Sequence, residues 1–328
     1  MARQPDIITA VRGFMKSRVI LSAAALDFFT KLDGNDISAE ELAGMLGLNR
    51  RATTRILDSL ITFNLLEKKN GRYRTTEDGS YLSARHPQSI LPVVNHMNTI
   101  WDNWSCLTEA VVKGANPHLK PVVDAWSEED RKAFIGAMHV AATGLSEEIA
   151  DAYDLSRFKR LLDIGGGSGA YTISFLKKNP LLRAVIFDLE GVVPITKEKI
   201  REQGLADRVN IVAGNFYKDE LPDGCDLALL SAIIHQNSPE QNVSLFRKIH
   251  RVINSGGTLL IRDHIMDAAR TDPPAGALFA LNMLVNTPSG DTYTFGEVDE
   301  MLTLAGFSEV KLIRSGKKMD CLVEANKY

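Results

Sequence analysis

The run Leu161-Leu162-Asp163-Ile164-Gly165-Gly166-Gly167-Ser168-Gly169-Ala170 sets the architecture of this chain. An apolar strand ends in an acidic residue, turns through glycines and enters helix-like sequence at Tyr171-Thr172-Ile173-Ser174-Phe175-Leu176. Glycine accepts positive φ and has no Cβ, so such a loop lets backbone approach a ligand. The helix that follows offers unpaired N–H groups to an anionic moiety. A second apolar run, Ala184-Val185-Ile186-Phe187, ends in Asp188, whose carboxylate suits the two hydroxyls of a ribose. A nucleoside-containing cofactor is therefore expected.

Gly165, Gly167 and Ala170 also satisfy the loose dinucleotide pattern G-x-G-x-x-[GA]. Two features favour S-adenosylmethionine instead. Asp163 places a carboxylate at the end of the first strand, where it suits the ammonium of a methionyl group. The loop also lies mid-chain, with further strand signals after it. Asp163, Gly165, Gly167, Gly169 and Asp188 are the first cofactor-binding candidates.

Composition narrows the class. The chain has 328 residues, enough for more than one domain, with 45% hydrophobic and 24% charged residues, as in ordinary globular proteins. A net charge of −3 gives no overall field to draw in nucleic acid. Cys106, Cys225 and Cys321 are scattered, which predicts neither a metal site nor a disulfide framework. The start of the chain lacks the apolar core of a signal peptide, and no run is apolar enough to span a membrane. A cytoplasmic protein is expected.

Residues 1–90 read as a helical, winged-helix domain. Apolar residues recur at helical spacing from Ile7 to Leu32. Ser38 followed by Glu41 is a capping-box signal, and Arg50–Phe63 is a further helix. Leu65–Arg74 reads as a two-stranded wing turning at Asn70-Gly71. Arg50, Arg51, Arg55, Lys68, Lys69, Arg72 and Arg74 invite a DNA-binding alternative. Fusion to a cofactor domain favours dimerisation, with nucleic acid not an expected partner. Phe14, Val19, Leu21, Leu26, Phe28 and Phe29 are expected to need a second copy to cover them. Residues 91–157 form a helical connector. It places Met97, Trp101 and Trp104 on one helix face, and Met138 and His139 on a later helix, as a substrate-pocket wall. Residues 158–328 alternate strand and helix, with strands at Arg160–Ile164, Ala184–Asp188, Val209–Ala213, Asp226–Ser231 and Thr258–Asp263 and a closing hairpin. That is a Rossmann-like, doubly wound α/β domain.

Ligands of open α/β sheets lie beyond the carboxyl ends of the strands. After the third strand, Asn215 and Phe216 are candidates to hold adenine. The fourth strand ends in Ser231, a further cofactor candidate, and leads to His235. Imidazole titrates near neutrality, so His235 is the candidate general base, with Asp263 placed to orient it. Asn282, Met283 and Thr292 join the expected substrate pocket. No metal site is expected.

These residues resemble the S-adenosylmethionine-dependent O-methyltransferase family that includes the plant caffeic acid and animal acetylserotonin (hydroxyindole) enzymes, and the chain is similar to a bacterial member. The resemblance spans nearly the whole sequence. It includes the winged helix, the Leu161–Gly169 motif, Phe187-Asp188-Leu189, the Gly256-Gly257 turn before Leu259-Leu260-Ile261, and Leu304-Ala305-Gly306-Phe307. It implies a homodimer with interlocked N-terminal domains and methyl transfer to a hydroxyl, often phenolic, of a small-molecule acceptor. His235 matches the family histidine that deprotonates the acceptor. Asp263 matches an acid bracketing it, and Met138 matches a methionine near the sulfonium. Four positions depart from the pattern. Gln236 and Asn237 follow the histidine where the family has Asp and an aromatic residue. Thr292 stands where a second bracketing acid is usual. Asn215 replaces an acid that contacts adenosine. The departures leave open a carbon or nitrogen acceptor, or a relative that binds the cofactor without transferring methyl.

Overall fold

In a computed structural model, residues 4–119 and 128–328 are described, and the chain divides into two compact units, 1–101 and 102–328. The division falls inside the segment 91–157.

The first unit comprises α1 (Gln4–Ala25), α2 (Phe28–Leu32), β1 (Ile37–Ser38), α3 (Ala39–Leu46), α4 (Arg50–Thr62), β2 (Leu66–Lys69), β3 (Arg72–Thr75), α5 (Glu77–Ser80) and α6 (Leu91–Thr99). Local chemistry sets most of it. Ser38 and Glu41 form a reciprocal capping box on α3, and the Asn49 side chain caps α4. Asn70 and Gly71 both take positive φ, the two-residue turn that joins β2 to β3. The sequence pattern predicts one helix over 7–32, but the chain breaks after Ala25 because Asp27 sits at φ 58°. The apolar residues are also distributed differently from the expectation. Leu21, Phe28 and Phe29 are buried in this unit's own core, and Val19 packs against it. Phe14 and Leu26 are exposed as expected, and Phe14 belongs to an exposed apolar stripe of Ile7, Ile8, Val11, Phe14 and Met15 at helical spacing along α1. The basic face is laced with local acids: Arg50–Glu40, Lys68–Asp58, Arg72–Glu41 and Arg74–Glu67 pair within 3.4 Å. Such exposed pairs add little stability, but they offset part of the positive charge a phosphate backbone would meet.

The second unit begins in α7 (Trp101–Ser105) and continues with α8 (Leu107–Lys113), α9 (Glu128–Ala152), β4 (Arg160–Ile164), α10 (Ala170–Lys178), β5 (Arg183–Asp188), α11 (Val193–Glu202), β6 (Val209–Ala213), β7 (Cys225–Ser231), α12 (Pro239–Val252), β8 (Ile253–Asp263), β9 (Ile265–Met266), α13 (Pro274–Asn286), β10 (Tyr293–Thr294), α14 (Phe295–Leu304), β11 (Ser308–Arg314) and β12 (Cys321–Asn326). Met97, Trp101 and Trp104 therefore do not share one helix. The chain breaks at Ile100, where the Thr99 hydroxyl bonds back to the His96 carbonyl.

Seven strands form one sheet in the order β11-β12-β8-β7-β4-β5-β6, parallel except for the closing hairpin. The strands are apolar on both faces because helices cover both. Leu161, Ile186 and Leu229 pack under α9, α10 and α11, while Leu162, Val185 and Leu230 pack against α12 and α14. Strand order reverses between β4 and β7, which opens a crevice at their carboxyl ends. Among the described residues no helix is long and apolar enough to cross a membrane.

Candidate functional site

The glycine loop is built by three positive-φ glycines, Gly165 (φ 68°), Gly167 (φ 57°) and Gly169 (φ 78°). A Cβ on Gly165 would lie 2.6 Å from Ile233 Cδ1, and one on Gly166 2.9 Å from the Asp163 carboxylate. The loop therefore wraps tightly over Asp163, which is buried and accepts the Thr172 hydroxyl at 2.6 Å. Burial pushes the Asp163 carboxyl up to about 7, against the Thr172 hydrogen bond and with a further push from Asp188. No side chain caps the N-terminus of α10 behind the loop.

Asp188, at the end of β5, is also buried. Its Oδ2 accepts the Gly167 N–H and its Oδ1 the Leu189 N–H, both at 2.7 Å. Burial raises its pKa in spite of those two bonds. Each carboxylate oxygen has a second lone pair. A fixed, oriented carboxylate beside a glycine backbone is the donor and acceptor set a ribose requires, so these residues fit a nucleoside cofactor. Gly167 leaves room there as well, since among the described residues a Cβ on it would meet only Ile135, at 3.8 Å.

After β6, Asn215 Oδ1 accepts the Tyr217 N–H, and its own N–H goes to Asp219, forming a turn. Phe216 lies beside Gly165. The Ser231 hydroxyl accepts from Arg262 Nε at 2.9 Å. Arg262 is buried, bonds the Met319 carbonyl and lies over the Tyr171 ring. Its place was not foreseen, because nothing local in the sequence marks it.

His235 sits in a 3₁₀ turn, Ile234–Gln236, entered through Ala232 at φ 59°. A non-glycine residue in that region is a local strain of the kind found at functional sites. The residue is 9% exposed, and its Nδ1 lies 2.9 Å from both Asp263 oxygens. An ionised carboxylate only accepts, so Nδ1 is the donor in this pair. Burial pushes the Asp263 carboxyl up, but His235, Arg262 and the His264 N–H outweigh it and hold the group below its ordinary range. The Phe279 ring stands edge-on to His235 at 4.9 Å and lies 5.1 Å from His264. His250, on α12, packs against Phe307.

The remaining candidates fall in several places. Trp104 donates its indole N–H to Asn282 Oδ1 at 2.9 Å, and Asn286 donates to the same oxygen at 3.0 Å. Met283 is buried on α13, and Met138 is 36% exposed on α9. His139 Nδ1 lies 2.8 Å from Ser168 Oγ, which turns it towards the glycine loop. Thr292 is buried, and its carbonyl accepts from Arg270. Met97 and Trp101 belong to the first unit, where Arg18 lies over the Trp101 ring at 5.1 Å.

Comparison with known proteins gives this geometry a context. Residues 104–308 match an O-methyltransferase domain, and residues 8–85 match an O-methyltransferase dimerisation domain. The chain is 32% identical to 3-hydroxy-5-methyl-1-naphthoate 3-O-methyltransferase of Streptomyces sahachiroi, over 94% of this chain and 91% of that one. It is 30% identical to acetylserotonin O-methyltransferase of Gallus gallus, over 95% and 94%. The crystal structure of human N-acetylserotonin methyltransferase in complex with S-adenosylmethionine superimposes with a TM-score of 0.85 at 27% identity, covering 99% of this chain and 98% of that one.

Proposed function

The chain belongs to the S-adenosylmethionine-dependent O-methyltransferase family and is an enzyme of that class, and we propose that His235 is its general base towards a hydroxyl on a fused-ring aromatic acceptor. The observation that carries the base is the pairing of His235 Nδ1 with both oxygens of buried Asp263. A phenol has a pKa of about 10 and is mostly protonated at neutral pH. The Nε2 lone pair takes that proton, and Asp263 stabilises the imidazolium that results. Asp188 and the backbone of Gly165, Gly167 and Gly169 would hold the cofactor, with Asp163 fixing the loop from below. When bound, S-adenosylmethionine supplies an electrophilic methyl group on a positively charged sulfur. The protein's own task is then to place and deprotonate the acceptor.

The acceptor class is drawn from two supports. Trp104, Met138, Phe279 and Met283 are apolar or aromatic. The named relatives act on a naphthoate and on acetylserotonin. The test uses a panel of hydroxynaphthoates and N-acetylserotonin. His235→Ala should bind S-adenosylhomocysteine as the unaltered enzyme does, yet lose about 10²–10⁴-fold in turnover. Near-normal turnover in that variant would remove His235 from the base role.

The working form is a homodimer. The stripe Ile7, Ile8, Val11, Phe14 and Met15 supports it, with Val11 64% and Phe14 58% exposed. Light scattering should give twice the chain mass at micromolar concentration, and a monomer there would overturn the assignment. A cytoplasmic location belongs to the same reading, supported by free Cys106, Cys225 and Cys321.

A further inference from the structure

The turn that carries His235 is clamped from several sides. Asn242 on α12 donates its side-chain amide to the Ile234 carbonyl at 3.0 Å. The Asp291 N–H reaches the His235 carbonyl at 2.9 Å, and the Tyr293 hydroxyl donates to the Asn237 carbonyl. Asn237 and Asn242 are fully enclosed, and Asn237 Nδ2 donates to Asn242 Oδ1 at 2.9 Å. The last bond comes from another direction. The Tyr217 hydroxyl, on the loop after β6, donates to Asn237 Oδ1.

That loop is itself held as one piece. Lys248 Nζ donates to the carbonyls of Phe216, Tyr217 and Asp219 within 3.2 Å. The Phe216 ring packs on Tyr217 at 4.5 Å and reaches Gly165 of the glycine loop. A continuous set of contacts therefore runs from Gly165 through Phe216, Tyr217 and Asn237 to the turn beneath His235. An amide at 237, where the family resemblance places an aromatic residue, gives the Tyr217 hydroxyl its acceptor, while the Tyr293 hydroxyl uses the backbone carbonyl of the same residue.

We infer that Tyr217 is a positioning residue whose hydroxyl, acting through Asn237, passes order in the cofactor-side loop to the turn that carries His235. The inference rests on the reading of His235 as base only for its effect on turnover. Tyr217 is 47% exposed, so Tyr217→Phe removes the hydroxyl without opening the core.

The test is amide hydrogen exchange on the full-length protein, with and without S-adenosylhomocysteine. In the unaltered protein the ligand should slow exchange in peptides covering 165–169, 214–219 and 232–238. In Tyr217→Phe the protection at 165–169 should persist. That at 232–238 should fall by about three- to tenfold, the range one neutral hydrogen bond supplies. Turnover should fall by a similar factor, and the fall should vanish in a His235→Ala background, because a missing base cannot be mispositioned. Equal protection at 232–238 in both proteins, or none there in the unaltered protein, would overturn the inference. So would a tenfold loss of S-adenosylhomocysteine affinity in Tyr217→Phe, which would make the residue a direct ligand contact. A His235→Ala protein that still turns over would sink the base assignment while leaving the exchange result to decide the link.

Discussion

The ends of β4 and β8 each hold a carboxylate sealed from solvent; burial pushes both up, yet their neighbours leave them shifted in opposite directions. Asp163 has a hydroxyl from Thr172 as partner and a second carboxylate, Asp188, nearby, and its pKa is pushed up to about 7. Asp263 is as deeply buried but faces His235, Arg262 and the His264 N–H, and it stays ionised. Burial by itself makes a neutral acid. An anion survives only where cations and donors are buried with it, and burying them is expensive. This sheet holds such an anion against the imidazole proposed as the base. On the same edge, at the end of β4, it holds an acid that is about half protonated near neutral pH, tucked under the glycine loop. Asp188 lies between the two cases: burial raises it, two backbone N–H groups pull it down, and it lies at the mouth where a ligand can reach it.

The contrast breaks most readily at Asp263. Asp263→Asn keeps the shape but loses the charge and offers the imidazole a donor as well as an acceptor. Turnover should drop about 10²-fold, with S-adenosylhomocysteine affinity unchanged by calorimetry. Asp163→Asn should cost far less turnover. Equal losses in the two variants would mean that the β4 acid is no mere brace.

Asp188 should show in binding what Asp263 shows in rate. Asp188→Ala removes charge-assisted acceptors worth about 1.5–3 kcal/mol each, so S-adenosylhomocysteine should bind at least about tenfold more weakly. The same titration with NAD should show no binding for either protein. Unchanged affinity in Asp188→Ala would take the carboxylate out of the ribose site and leave the loop alone to hold the cofactor.

What could be read beforehand was what neighbouring residues determine. The Asn70-Gly71 turn, the Ser38–Glu41 box, the strand periodicity and the glycine loop each carry their signal within a few positions. The pairing of His235 with Asp263 was also within reach, because strand ends of a doubly wound sheet converge on one edge. The helix break at Asp27 was hidden because one aspartate at positive φ leaves the hydrophobic spacing intact. The embrace of Asn237 was hidden for a different reason. Tyr217, Asn242 and Tyr293 come from three separate elements, and nothing in their spacing says that they meet. For the same reason Gln236-Asn237 reads as a lost motif in sequence and as a bonded turn in three dimensions. Ser231 is similar, since its partner Arg262 approaches from the neighbouring strand.

The effect that most sharpens the contrast is the pH dependence of stability at Asp163. Its folded pKa of about 7 lies above the ordinary carboxyl value of 3.8 that the unfolded chain would show. Between those values the folded protein keeps a proton that the unfolded chain has lost. Stability from this group is therefore full below the lower value, falls as pH rises towards about 7, and is level above it. The slope is on the order of 1 kcal/mol per pH unit. Asp163→Asn has no proton to lose, so the variant should gain on the unaltered protein as pH rises from 5 to 7 and hold that gain at pH 8. Urea unfolding followed by circular dichroism, at one fixed protein concentration, measures the difference. Asp263 has the opposite sign. Its folded pKa is depressed, so its contribution is present above the unfolded value and fades only as acid titrates through the folded one. If the difference between the unaltered protein and Asp163→Asn instead stayed level from pH 5 to 7, the Asp163 carboxyl would already be ionised there, as a group with a cationic partner is. The two strand ends would then obey one rule rather than two.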